Sequence, residues 1–539
     1  MAANGLKLPN KNRAEWLLAL VALLTALAVQ PGEVGSVDTE RRLQTTHSFW
    51  TSAPPVVPED YPAFGIMGRN HKIYAWYGIG QSLVMLPPDI LATLLLRVLP
   101  RSMDQNEFRG LVVSFAISPI VCVLSVLLTF RFLMLLGFSL AQGMAGALGL
   151  LFGTTFLHYT QNMMENNLIL LLTLAGLYLH YEWLRSGNPS KAWWGSALLG
   201  ANLLIRVTTG LNLAAVALFI VWSLVASGWR QAGHRLVFYA KTLAASSLVF
   251  LAGDRAYHYY RFGECCSNYI ELYGRQQKLL DPSLPAAFPY TTPFWEGFWR
   301  PLVSLEKSVF LFDPLLLLSL LLAFTLWRRL APEVRAYLVS CAVLLIAEIA
   351  VHARLWFWSG DVAWGDRYLS APVQLAGLIA VPLLMRHRLE IGTALQFIAK
   401  PLLAGAVLIQ LASVALWYPL EFDQMKTISK PVFVVGLRFW NILAMCSGKM
   451  YEWRLTNSWT DAAVRARTAY LWPFLLPQRH DFLPHWAVEA GVAVWLSLVI
   501  AILLTLCLIC RSVRTSQPAL QPVASNPDSQ LSLSSRRFS

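Results

Sequence analysis

The feature that most constrains this chain is a succession of apolar stretches, each near the length that crosses a bilayer. A spanning helix needs about 20 apolar residues. Stretches of that order fall at residues 14–30, 110–130, 139–157, 168–184, 193–209, 211–228, 236–253, 309–327, 336–351, 368–384, 401–417 and 488–510. A chain patterned this way must satisfy its backbone inside helices wherever lipid surrounds it. With 56% hydrophobic and 14% charged residues, the expected fold is an all-α polytopic membrane bundle of about twelve transmembrane helices with external loops. The 21 Trp residues suit aromatic belts at two interfaces.

The first span follows Lys7, Lys11 and Arg13, and no convincing small-x-small cleavage site comes after it. It therefore reads as a retained helix with its N-terminus in the cytoplasm. Residues 78–99 are the ambiguous stretch, long enough to cross but interrupted by Pro87, Pro88 and Asp89. Charge arbitrates. If this stretch does not cross, Arg131, Arg185, Lys191, Arg230, Arg235, Arg328, Arg329, Arg335, Arg386, Arg388, Arg511 and Arg514 all fall on the cytoplasmic side. If it crosses, every one of them flips outward. The positive-inside rule favours an interfacial or re-entrant helix.

Most acidic residues then gather outside, in residues 31–109, 158–167, 254–308 and 352–367, with a longer aromatic-rich outer segment at 418–487. The expected organisation is a transmembrane module over 1–385 with external loops 31–109 and 254–308, then C-terminal helices over 386–511. A Ser/Pro/Gln-rich tail, 512–539, is expected to be disordered and cytoplasmic. The net charge of +13 follows from this topology; no Lys/Arg run forms a nucleic-acid-binding stripe, so no nucleic-acid partner is expected. The seven Cys lie mostly in apolar spans at no metal-ligand spacing, and no metal or other cofactor is expected.

Five outer segments carry groups capable of chemistry. The first, PGEVGSVDTERRLQTTHSFW at 31–50, sets Glu33, Asp38 and Glu40 at a membrane surface, where a carboxylate reaches both a lipid head group and water. The stretch GRNHKIYAWYGIGQS brings Arg69, His71, Lys72 and Tyr77 into the interfacial helix, cations among aromatic rings that suit a lipid phosphate. In GTTFLHYTQNMMENN, Glu165 opens a helix beside His158, Tyr159, Gln161 and Asn162; a helix-dipole role and a hydrogen-bonding sugar pocket fit it equally. The long loop after Asp254 adds Arg261, Glu271, Arg300 and Lys307. The fifth segment, HARLWFWSGDVAWGDRYLS, puts Asp361, Asp366 and Arg367 among Trp364 and its aromatic neighbours. Arg206 lies within an apolar span, where it either pairs with an anion or snorkels. Solvated helix ends and interfacial anchors explain each segment alone; five facing one compartment point further.

In this order the segments resemble the C-type glycosyltransferase superfamily, near its protein O-mannosyltransferase and aminoarabinose transferase branch, over roughly residues 10–385. The resemblance is carried by SVDTERRL, GRNHKIYAWYGIGQS, GTTFLHYTQNMMENNLILLLTLAGLYL, YHYYRFGE, EKSVFLFDP and WGDRYLSAP. The chain departs from the family pattern in an Arg-Asn-His insertion before Lys72 and in Ser308, where Gly would follow Lys307. The resemblance implies a polyprenyl-phosphate sugar donor and a lipid, glycan or protein acceptor, and a bacterial plasma membrane with the site facing outward. It also implies inverting transfer with Asp38 as catalytic base. Lys72, Arg261, Lys307 and Arg367 would then meet the donor phosphate, and Glu165, Tyr159, His158, Asp361, Asp366, Trp364 and Tyr77 the sugar or acceptor. A base of this kind is expected to have its pKa raised toward neutrality by burial and neighbouring acids. A transporter or flippase for lipid-linked saccharides is the rival class. Against it stand the lack of an internal repeat and the concentration of polar residues in outer loops.

Overall fold

Several helices begin or end where the sequence supplies caps. In the computed structural model, which describes residues 11–61, 63–98, 104–226, 229–360, 362–417, 419–428, 432–448, 469–479 and 483–515, a helix stands at each of the twelve expected spans. Ser139 and Gln142 form a reciprocal capping box that starts Leu140–Gly153. Gly187, at φ +73°, ends Asn166–Ser186, and Asn188 caps the next helix, Pro189–Leu203. Among the described residues, eight helices are long and apolar enough to cross a membrane by themselves. The other four expected spans fall on the shorter helices Leu140–Gly153, Pro189–Leu203, Pro314–Leu326 and Ser370–Arg386.

Burial leaves apolar side chains on the outside of the bundle, as a lipid surround requires. Helix Lys11–Val29 turns Ala14, Leu18, Val21 and Ala22 to the interior but leaves Trp16, Leu20 and Leu23 exposed. A helix apolar all round needs a neighbour on one side and lipid on the other. The interior is a continuous core that includes Phe130, Phe132, Leu133, Leu150, Phe219 and Leu318.

Two spans differ from expectation. The stretch 309–327 is broken at Asp313: a short turn, Val309–Phe312, precedes Pro314–Leu326, where Pro314 takes the first-turn position that proline favours. The stretch 236–253 lies inside a 34-residue helix, Trp229–Phe262, with no Pro within it and Gly263 at φ +77° ending it. At about 1.5 Å per residue this helix outruns a bilayer core of about 30 Å. Its final turns carry Arg255, His258 and Arg261 beyond the span, where the sequence had suggested loop. Helices Tyr269–Leu280 and Phe294–Val303 follow.

The stretch 78–99 holds one helix, Gly80–Leu96, despite Pro87 and Pro88. Its start and its middle both lie at one end of the bundle. The Gln81 amide donates to the carbonyl of Met163 at 2.9 Å and Ser82 donates to that of Arg42 at 3.0 Å. Asp89, fully buried, accepts from Arg109 Nε at 2.6 Å, at the start of helix Gln105–Leu135. The same carboxylate takes the Trp50 indole at 2.9 Å and lies 3.0 Å from His47 Nδ1. Leu83, Leu91, Leu94 and Leu95 face outward. The helix is thus braced on one side by a buried carboxylate and apolar on the other, the two-faced pattern of a helix that lies at an interface.

The C-terminal helices close on the first. Helix His485–Thr515 packs along Lys11–Val29 and extends past Ser512; residues 516–539, with most of the expected tail, lie outside the described set. The expected segment 418–487 is described only in part. One amide joins three distant stretches: Gln161 Nε2 lies within 2.8–2.9 Å of the carbonyls of Val29, Val414 and Tyr470. Among the described residues, the strand pairing is a two-residue ribbon, Ile66–Met67 against Ile73–Tyr74.

Candidate active site

The end of the bundle that holds Gly80–Leu96 also holds a cavity of about 460 Å³. Its wall is assembled from helix ends. Asp38 and Arg42 come from Val37–Ser48, Glu165 precedes Asn166–Ser186, Arg206 precedes Val207–Ala226, Arg261 closes Trp229–Phe262, and Arg367 precedes Ser370–Gly377. Ser36 starts the first of these helices by accepting from Thr39 N at 3.2 Å. From there Asp38 and Arg42, four residues apart, share one face.

Asp38 is held at both oxygens. Tyr77 donates its hydroxyl to Oδ1 at 2.5 Å, and Arg367 donates to Oδ2 at 2.6 Å. Arg367 finds room for its stem because Gly360, at φ +77°, is bare; a Cβ there would meet Arg367 Cγ at 2.2 Å. Glu165 is bracketed by Arg42 at 2.7 Å and Arg206 at 2.5 Å. Arg206 is thus paired rather than snorkelling. Arg261 donates to the carbonyls of Ala75 and Tyr77, fixing the segment that presents Tyr77.

These pairs decide the charge state. Burial pushes the Asp38 carboxyl up, but the guanidinium groups of Arg367 and Arg42 and the Tyr77 hydrogen bond outweigh it, and the group lies below its ordinary value. Glu165 shows the same balance: burial opposes ionisation, while Arg42, Arg206 and Arg367 hold it well below the usual carboxylate range. The expectation of a base raised toward neutrality is corrected here. The charges nearest Asp38 are guanidinium groups, which the sequence alone could not bring across the fold.

Of the residues singled out from sequence, Asp38, Tyr77, Glu165, Arg206, Arg261 and Arg367 share this cavity. The others stand elsewhere. Lys72 is exposed at the end of the ribbon turn and is not in the wall. Lys307 is buried and donates to the carbonyls of Ala363 at 2.7 Å and Gly365 at 3.0 Å. Behind the wall, Tyr159 donates to the Trp364 carbonyl at 3.1 Å, His158 lies against both rings, and Trp364 packs edge-on to Phe312 at 4.9 Å. Asp366 accepts from Tyr368 N at 3.0 Å and burial pushes its carboxyl up. Asp361 lies outside the described residues.

Lys307, Trp364 and Asp366 therefore shape the loop that delivers Arg367. Sequence reasoning passed over Arg42, His352, Tyr269 and Tyr368, all of which line the cavity. His352 stacks on Tyr368 at 4.2 Å, and its Nδ1 is 2.9 Å from the Glu348 carbonyl oxygen. Arg42 had a signal, its four-residue spacing from Asp38; the aromatic residues had none beyond composition. Among the described residues, no cluster of three or more His, Cys, Asp or Glu side chains is placed to hold a metal ion.

No protein-family model matches the chain, and no curated protein matches it. Among solved structures, the crystal structure of ArnT from Cupriavidus metallidurans bound to undecaprenyl phosphate is similar at 13% identity and a TM-score of 0.39. The likeness covers 93% of this chain and 77% of that one. At that level the chemistry is left to be read from this chain's own residues.

Proposed function

We propose that the chain is an integral membrane glycosyltransferase that moves a sugar from a polyprenyl-phosphate donor to an acceptor hydroxyl on the outer face of the membrane, with inversion and with Asp38 as base. The observation that carries this reading is the cavity wall, where one carboxylate, held between Tyr77 and Arg367, stands among further guanidinium groups and aromatic rings at the end of a membrane bundle. The acceptor oxygen attacks the anomeric carbon from the face opposite the phosphate. The bond from that carbon to the phosphate oxygen breaks, its electron pair leaves with the polyprenyl phosphate, and the acceptor proton passes to Asp38.

An ionised carboxylate of low basicity suits a late proton transfer. The hydroxyl becomes strongly acidic only as its oxygen bonds to an oxocarbenium-like centre. Charge then grows on the departing phosphate, and Arg261 and Arg367, with Arg42 and Arg206 beside them, offset it without reorganising. Tyr77 and Glu165 border the space left for the sugar. His158, Tyr159, Lys307, Trp364 and Asp366 act on this reading through the loop that carries Arg367. A transporter would gather its polar groups near the bundle midplane; here they stand at helix ends.

The test uses the purified full chain with a polyprenyl-phosphate hexose and mixed acceptors. Asp38→Asn is expected to reduce transfer by about 10²–10⁴-fold, while Glu40→Gln, on an exposed position of the same helix, retains it. Undiminished transfer by Asp38→Asn removes Asp38 as base.

A further inference from the structure

The wall of the cavity limits the charge of the sugar as well as its position. Three carboxylates are present among its described residues, and each is already neutralised. Asp38 takes Arg367 at 2.6 Å, and Glu165 takes Arg42 at 2.7 Å and Arg206 at 2.5 Å. Asp254 takes the Nε and terminal nitrogen of Arg255 at 2.9 and 2.6 Å. Arg42, Arg206, Arg255, Arg261 and Arg367 thus face three acids, and the wall keeps a positive surplus.

An ammonium group has a second means of recognition, the face of an aromatic ring. Beside the two central acids those faces are also taken. Arg42 lies over the Tyr77 ring at 4.1 Å, and Tyr368 has Arg206 at 5.1 Å and Arg367 at 5.5 Å from its ring centre. Around Asp38 and Glu165, the positions where a cationic substituent would be held are occupied by guanidinium groups of the protein. Further along the wall, Trp76, Tyr269, Tyr290, Trp356 and Phe357 offer ring faces and edges for the C–H surface and hydroxyls of a sugar.

We infer that the glycosyl group this cavity accepts carries no positive charge: it is a neutral sugar on a lipid phosphate, and the corresponding amino sugar is rejected. The inference rests on the glycosyltransferase reading above and narrows its substrate class. Rejection comes from like charge, because an ammonium entering the wall meets guanidinium groups with no carboxylate to spare. The anionic phosphate of either donor meets the same surplus favourably, so the discrimination concerns the sugar alone.

The experiment compares three polyprenyl-phosphate donors of one chain length on the purified full-length protein: a hexose, the corresponding amino hexose, and its N-acetyl form, which keeps the nitrogen and removes the charge. Thermal stabilisation and kcat/KM for transfer are both measured at neutral pH. The hexose is expected to exceed the amino hexose by about tenfold or more in both readouts, with the N-acetyl form recovering at least part of the stabilisation. Arg206→Gln, which uncovers one oxygen of Glu165, is expected to narrow the gap. An amino hexose that binds and reacts as well as the hexose overturns the inference and leaves the glycosyltransferase reading standing. If no donor stabilises the protein or is turned over, that reading fails and the inference fails with it.

Discussion

Between Asp38 and Arg367 lie 329 positions of chain and 2.6 Å of space. The pair sets the pH behaviour. The folded Asp38 carboxyl lies below its ordinary value of 3.8. The pair's contribution to stability is therefore complete above that ordinary value and is lost as pH falls through the folded one. The profile of kcat/KM is expected to show no acid limb from Asp38 between about pH 5 and 7, whereas Arg367→Gln, which removes the cation on Oδ2, moves such a limb upward. A limb in that interval in the unsubstituted protein, absent from Asp38→Asn, would contradict the assignment. Much of this residue scale was legible in part only. Asp38 was conspicuous because it follows the first span, but SVDTERRL holds two acids and two arginines, and nothing local tells which cation faces which acid. Glu165 and Arg42 are joined across the fold, beyond the reach of any spacing rule.

At the scale of elements, the site depends on how closely the interfacial stretch seats on the turn before Val207–Ala226. Gly80 N–H donates to the Leu204 carbonyl at 2.8 Å. A Cβ on Gly78 would stand 2.3 Å from that oxygen and 2.5 Å from the Ile205 carbonyl. The same turn aims Arg206 at Glu165. Gly78→Ala is expected to cost about 1–3 kcal/mol of stability and to reduce transfer, with the protein still inserting as a helical bundle; circular dichroism, thermal unfolding and transfer rates check this. Full activity in a stable Gly78→Ala protein would show that the seat is not needed. Apolar runs and caps foretold the helices themselves. The extension of Trp229–Phe262 past the bilayer was hidden because polar residues at 254–262 look the same in a helix as in a loop; only Gly263 marks the stop.

For the whole molecule, the sorting of charge along the sequence foretold which helix ends share a face, since each crossing reverses direction and the arginine-bearing turns alternate with the acid-bearing ones. Arg42 on Glu165 and Arg367 on Asp38 put three expected outer segments in contact. Arg131 with Glu15 and Arg329 with Glu390 mark basic turns of the other set. The chain carries its own reporters for orientation. Cys265 and Cys266 are exposed just beyond the cavity end of Trp229–Phe262, and Cys510 is exposed near the final turns of His485–Thr515. A membrane-impermeant maleimide applied to intact cells is expected to label Cys265 and Cys266 and to spare Cys510; labelling of Cys510 alone would invert the proposed orientation.

The shared amide of Gln161 bears on how the protein is made. Its nitrogen carries two hydrogens, divided among carbonyls that belong to the first helix, to the end of Thr393–Ala415 and to Tyr470. Two of those partners are translated long after the helix that bears Asp38 has emerged. Tyr470 also donates its hydroxyl to Glu33, and Trp472 N–H to the Gln30 carbonyl. During synthesis the segment leading into the Asp38 helix must wait, already at the membrane, for almost the whole remaining chain to be inserted before these last fastenings can close. A nascent chain arrested before residue 470 would carry every charged group of the cavity wall and still lack the fastening that holds that segment in place.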